Sequence, residues 1–84
     1  MKAIELFAGA GGLGIGIGRA GFTPERIVEW EANCQRTLLA NRHASQADAK
    51  HWPPEIERDV RDADFTAHEG KIELVSGGPP CQPF

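Results

Sequence analysis

The chain has 84 residues, 40% of them hydrophobic, and nine Lys and Arg against twelve Asp and Glu give a net charge of −3. That length allows one domain or part of one, and the acidic balance supplies no basic footprint for nucleic acid by itself. Two cysteines, Cys34 and Cys81, make no disulfide framework, and no apolar run approaches the roughly 18 residues of a membrane helix.

Ala3-Ile4-Glu5-Leu6-Phe7 reads as a short strand, mostly apolar as a strand covered on both faces should be. It runs into Ala8-Gly9-Ala10-Gly11-Gly12-Leu13-Gly14. Gly9, Gly11 and Gly14 satisfy G-x-G-x-x-G between a strand and a helix-like segment. Glycine permits the tight turn, a missing side chain lets a ligand approach the backbone, and a helix N-terminus turns free N–H groups toward it. Leu13, Ile17 and Ala20 then recur on one helical face, and Gly21 is a natural stop. Three glycines inside that helix oppose it by about 1 kcal/mol apiece, so it requires close packing against the sheet. Glu5 and these glycines also break any signal-peptide core at the N-terminus, so a reducing, cytoplasmic or nucleoid-associated setting is expected.

Arg26-Ile27-Val28-Glu29-Trp30 reads as a second strand that closes a β-loop-α-β unit. Glu29 lies about 20 residues after Gly9, where dinucleotide-binding folds place an acid on the ribose hydroxyls. Trp30 can lie flat against an adenine ring, and Glu31 is a second candidate acid. Ala32 to Arg42 is a helix with Cys34 and Leu38 on one face, Cys34 serving as a packing residue. His43 to Pro54 lacks periodicity and reads as a connection. His43, His51 and His68 have no partner at metal-ligand spacing and read as surface residues, so no metal is expected.

Glu57-Arg58-Asp59-Val60 reads as a short edge strand with Asp59 at its exit. A polar stretch from Arg61 to Gly70, with one or two helical turns, then leads to a strand over Lys71 to Ser76. That strand exits through Gly77-Gly78-Pro79-Pro80-Cys81-Gln82-Pro83-Phe84. Each proline fixes φ and lacks an N–H, so a thiol is carried on a stiff loop at a strand end, where open α/β sheets keep their chemistry. Read without chemistry, the same octet is a structural cysteine in a proline-rich tail. Strands alternating with helices predict an α/β fold with a parallel, doubly wound sheet.

Taken together, Glu5 to Leu13, Glu29-Trp30-Glu31, Asp59-Val60 and Gly78 to Phe84 resemble, in order, the opening motifs of the DNA cytosine-5 methyltransferases. The resemblance implies that residues 1–84 form the N-terminal, truncated part of a Rossmann-like, S-adenosylmethionine-dependent catalytic domain. It implies a cradle for S-adenosylmethionine at Phe7 and along Ala8, Gly9, Gly11, Gly12 and Leu13. Glu29 would hold the ribose, Trp30 would pack on the adenine, and Asp59 with Val60 beside it would meet the adenine amino group. Cys81 would be the nucleophile toward a cytosine flipped out of double-stranded DNA, with Pro80 helping to hold the base. Glu5 stands where many relatives have Asp, and the helix is richer in glycine than usual. The later glutamate and arginine motifs and the DNA-reading region lie outside this sequence, so a piece ending at Phe84 is expected to be inactive alone. An NAD- or FAD-binding oxidoreductase would satisfy the glycine loop and Glu29 but leaves the Cys81 loop unexplained. A non-catalytic remnant that binds only cofactor or a partner chain is the other alternative.

Overall fold

The computed structural model describes residues 1–9, 11–43 and 49–78; Ala10, Pro80 and Cys81 lie outside the described residues. Three parallel strands, β1 (Lys2–Leu6), β2 (Thr23–Val28) and β3 (Leu74–Gly77), form one sheet in the order β2-β1-β3. Helix α1 (Gly12–Arg19) joins β1 to β2, and helix α2 (Ala32–His43) follows β2. This is a partial α/β, Rossmann-like sheet. Because the chain leaves β1 to one side and returns to its other side at β3, the carboxyl end of β1 is a topological switch point.

β1 is central because it is the most apolar strand: Ala3, Ile4 and even Glu5 are buried. β2 starts three residues earlier than the apolar run suggests. Thr23 and Pro24 belong to it, and the register jumps from Ala3↔Pro24 to Ile4↔Arg26, leaving Glu25 as a bulge. A bulge beside a proline removes the need for the missing N–H. Three backbone hydrogen bonds end α1. Ala20 N–H donates to the Gly16 carbonyl (3.1 Å), Gly21 to Gly18 (3.0 Å) and Phe22 to Ile17 (3.0 Å). Gly21 takes φ +97° at the turn, a glycine-terminated helix end as expected.

The buried face of α1 differs from the expected one. Gly14 and Ile17 are buried, whereas Leu13 is 49% exposed and Ala20 is exposed. Close approach of the Gly14 backbone to Glu5 rotates the helix so that glycine, not leucine, meets the sheet. The principal core cluster consists of Ala8, Ile27, Leu38, Ala49 and Trp52, with Ile15 and Ile56 packed against it. Trp52, expected in a mere connection, is therefore a core residue. The strand expected at Glu57–Val60 contracts to a single parallel bridge, Val28↔Glu57. Two 3-10 turns, Val60–Asp62 and Thr66–His68, follow it. β3 pairs with β1 alone among the described residues, and Val75 is 62% exposed.

Candidate functional site

The loop after β1 is shaped by left-handed backbone. Phe7 has φ +53° and Gly9 φ +61°, and Gly11 at φ +106° is the N-cap of α1. A positive φ is uncommon for a residue as bulky as phenylalanine, and here it leaves the ring 38% exposed at the strand end. Gly11 N–H donates to the Ala8 carbonyl at 3.3 Å, closing the turn. A Cβ on Gly11 would stand 2.7 Å from Trp52 Cη2 and 3.0 Å from Leu38 Cδ2. The loop therefore lies directly on the core, which fixes its position relative to the end of β2.

Glu29 ties those two strand ends together. Its Oε1 accepts the Gly9 N–H at 2.6 Å, and its Oε2 accepts the Glu31 N–H at 2.8 Å. The residue is 9% exposed, and among the described residues each oxygen accepts one hydrogen bond, short of the two a carboxylate oxygen can take. Glu31 also has a structural role. It is the N-cap of α2, with Oε2 accepting the Cys34 N–H at 2.8 Å, and that bond holds its carboxyl below the usual range.

Trp30, between these acids, is 55% exposed, with the Arg58 guanidinium 5.0 Å from its ring centroid. Such a contact fixes a ring orientation through the attraction of a cation for the aromatic face. Asp59 caps the first 3-10 turn by accepting the Arg61 N–H at 2.9 Å, and its carboxylate also grips the Arg61 side chain, with Nη2 at 2.7 Å. These bonds with Arg61 lower the Asp59 pKa. A new donor to Asp59 must share the carboxylate with Arg61 or displace it.

These residues converge. Phe7, Gly9, Glu29, Trp30, Asp59 and Val60 line one cavity of about 760 Å³ at the carboxyl ends of β1 and β2, within the span of about 300–1,000 Å³ usual for small-molecule sites. Gly78, three residues before Cys81 in the sequence, is on its wall. Ala8, Gly11, Gly12 and Leu13 do not line it: within the loop Ala8 and Gly11 are buried toward the core, and Gly12 and Leu13 are exposed. Val28, Glu31, Cys34, Arg58 and Arg61 line it as well. Arg58 and Arg61 carried no periodic or motif signal in the sequence. Their adjacency to Asp59 was the only available clue. Cys34 is half-buried on the wall, not in the core. Desolvation, and then the Glu31 and Glu29 carboxylates, push its thiol pKa up, which makes it a poor source of thiolate. Among the described residues no group of three or more His, Cys, Asp and Glu is placed to hold a metal, and no helix is long and apolar enough to cross a membrane.

A parallel α/β sheet with a cavity at its switch point, a glycine loop on one wall and an acid on the next strand defines a Rossmann-like fold. Sequence comparison makes the family explicit. The model of the C-5 cytosine-specific DNA methylase family matches residues 1–84, and the chain belongs to that family. It is similar to the Type II methyltransferase M.PspPI of Psychrobacter sp. (strain TA137), at 44% identity over 96% of this chain and 18% of the relative. It is also similar to M.Eco47II of Escherichia coli, at 36% identity over 96% and 18%, and to M.AquIA of Picosynechococcus sp., at 37% over 99% and 33%. The chain thus spans between 18% and 33% of the length of these relatives. No solved structure matches it.

Proposed function

We propose that this chain is the cofactor-binding and nucleophile-bearing part of a DNA cytosine-5 methyltransferase that uses S-adenosylmethionine. The observation that carries the reading is the convergence of Phe7, Gly9, Glu29, Trp30, Asp59 and Val60 on one cavity whose wall reaches Gly78. The residues fit such a cofactor. Glu29 accepts one bond per oxygen among the described residues and suits ribose hydroxyls, Trp30 offers an exposed aromatic surface for adenine, and Asp59 is an ionised acceptor for its amino group. Bound S-adenosylmethionine supplies an electrophilic methyl group on a sulfonium.

The remaining chemistry belongs to Cys81. Cytosine C5 is a weak nucleophile, so the thiolate adds at C6 and places electron density on C5. C5 takes the methyl group, loses its proton to a base, and the returning electron pair expels the thiolate. A thiol is suited because thiolate forms near neutral pH and is strongly nucleophilic. Prolines at positions 79, 80 and 83 of the sequence each restrict φ, which would lower the entropy lost on engaging a base turned out of the duplex. The raised pKa of Cys34 argues for Cys81 over it.

The test fuses this chain to the remainder of the Psychrobacter relative. Cys81→Ser should abolish methyl transfer and leave S-adenosylmethionine binding intact, whereas Cys34→Ser should change neither. A 5-fluorocytosine duplex, which cannot lose a proton from C5, should trap a covalent adduct at Cys81. An adduct at Cys34, or substantial methylation by the Cys81→Ser protein, would refute the assignment.

A further inference from the structure

We propose that Arg26 is a positioning residue for this cavity: one guanidinium clips both feet of the 57–65 segment and so sets where Asp59 and Val60 stand. The inference rests on the functional reading only for what the cavity binds.

Arg26 lies on β2, in register with Ile4, three residues before Glu29. Its Nε donates to Glu57 Oε2 at 2.6 Å and its Nη2 to Glu57 Oε1 at 2.5 Å, a two-bond fork at the start of the segment. Its Nη1 donates to the Asp64 carbonyl at 3.0 Å, and its Cζ sits 4.7 Å from the centroid of the Phe65 ring, both at the end of the segment. Between those feet lie Arg58, Asp59, Val60 and Arg61, all on the cavity wall. Among the described residues, backbone pairing holds this wall to β2 at one point, with Glu57 N–H on the Ile27 carbonyl (2.9 Å) and Glu29 N–H on the Glu57 carbonyl (2.7 Å).

A wall anchored by one bridge pivots about it. The guanidinium removes that freedom because its donors lie in one plane and reach both ends of the loop together. Lysine has the charge but not the planar fork. The Arg26 side chain is 23% exposed, so the fork is partly screened from water and stronger than a surface ion pair. Loop ordering before ligand arrival raises affinity by removing an entropy loss from the binding step. The role belongs to Arg26 and not to the sheet itself, since β1 and β2 pair through their backbones whatever side chain occupies this position.

Two readouts on this chain fused to the remainder of the Psychrobacter relative test the clip. The first is amide exchange. The Asp62 N–H, on the Asp59 carbonyl, and the Ala63 N–H, on the Val60 carbonyl, should be protected in the wild type and exchange about tenfold faster in Arg26→Met and Arg26→Lys. Phe22 and Ile15, on Ile17 and Gly11, should be unchanged. Absence of protection at Asp62 and Ala63 in the wild type would overturn the proposal. So would rescue by Arg26→Lys, or loss of protection at Phe22 and Ile15, which would make Arg26 a residue of the fold as a whole.

The second readout is calorimetry with S-adenosylhomocysteine and S-inosylhomocysteine, which differ at the purine position Asp59 is placed to read. Arg26→Met should weaken the adenosyl ligand about tenfold and the inosyl ligand less, so that discrimination falls. Equal weakening of both overturns the positioning role. A wild type that binds neither ligand refutes the cofactor reading, and the exchange result then decides the clip alone.

Discussion

Glu5 offers the sharpest quantitative test of how this sheet is built. It sits on the central strand, is 1% exposed, and lies in register with Ile27 on one side and Ser76 on the other. Its Oε1 has no hydrogen-bond partner, and neither does the neighbouring Ser76 Oγ. Desolvation pushes the carboxyl pKa up from 4.5 to about 7. The folded chain therefore holds a proton that the unfolded chain has released between those two values. The associated stability is complete below pH 4.5 and is lost as pH rises through about 7. At about 1.4 kcal/mol per pH unit that interval corresponds to a loss of about 3 kcal/mol. Glu5→Gln keeps the shape and removes the titration. Urea unfolding followed by circular dichroism, from pH 4.5 to 8, should show wild-type stability falling relative to Glu5→Gln by that amount. Subtracting the two curves cancels the other titrating groups. A difference that stays level across the window, or that moves in favour of the wild type as pH rises, would refute the reasoning.

Other outcomes follow from the same geometry. A Cβ at Gly14 would meet Glu5 Oε2 at 2.7 Å, so Gly14→Ala should destabilise the fold by about 1–3 kcal/mol despite its better helix propensity, and Glu5→Asp should recover part of the loss in a double-mutant cycle. Gly11→Ala, at φ +106° and 2.7 Å from Trp52, should lower the thermal midpoint and weaken cofactor binding together, because it lifts the loop off the core. In the fusion with the Psychrobacter relative, Glu29→Ala should weaken S-adenosylmethionine by roughly 1.5–3 kcal/mol in calorimetry, the value of hydrogen bonds to a charged group; unchanged affinity would count against the ribose role. The edge of β3 that no described residue pairs, with Val75 62% exposed, should make the isolated chain associate with rising concentration, and Val75→Lys should suppress this in analytical ultracentrifugation.

Much of this protein was legible one residue at a time. The apolar run at β1, the glycines after it, the acid about 20 residues later and the stop at Gly21 are local signals. Each acts through backbone freedom or side-chain period over a few residues, so no tertiary information is needed to see them. The motifs from Glu5 to Phe84 likewise carry the family, because their order and chemistry are written along the chain.

Only the tertiary structure decided what the remaining residues do. Trp52 looked like part of a linker, yet its ring fills the space under Gly11, a contact between residues 41 positions apart. Leu13 has the period of a buried face, but the approach of Gly14 to Glu5 turned α1 so that leucine faces outward. Glu29 was legible as an acid, but not its grip on the Gly9 N–H. Arg26 gave no signal at all, since its meaning lies in Glu57, Asp64 and Phe65, 31 to 39 positions further on. Sequence period and motif report what a residue prefers locally. Which long-range partner satisfies a buried carboxyl, a guanidinium or a glycine's open side is settled when strands pair in register and the chain closes on itself.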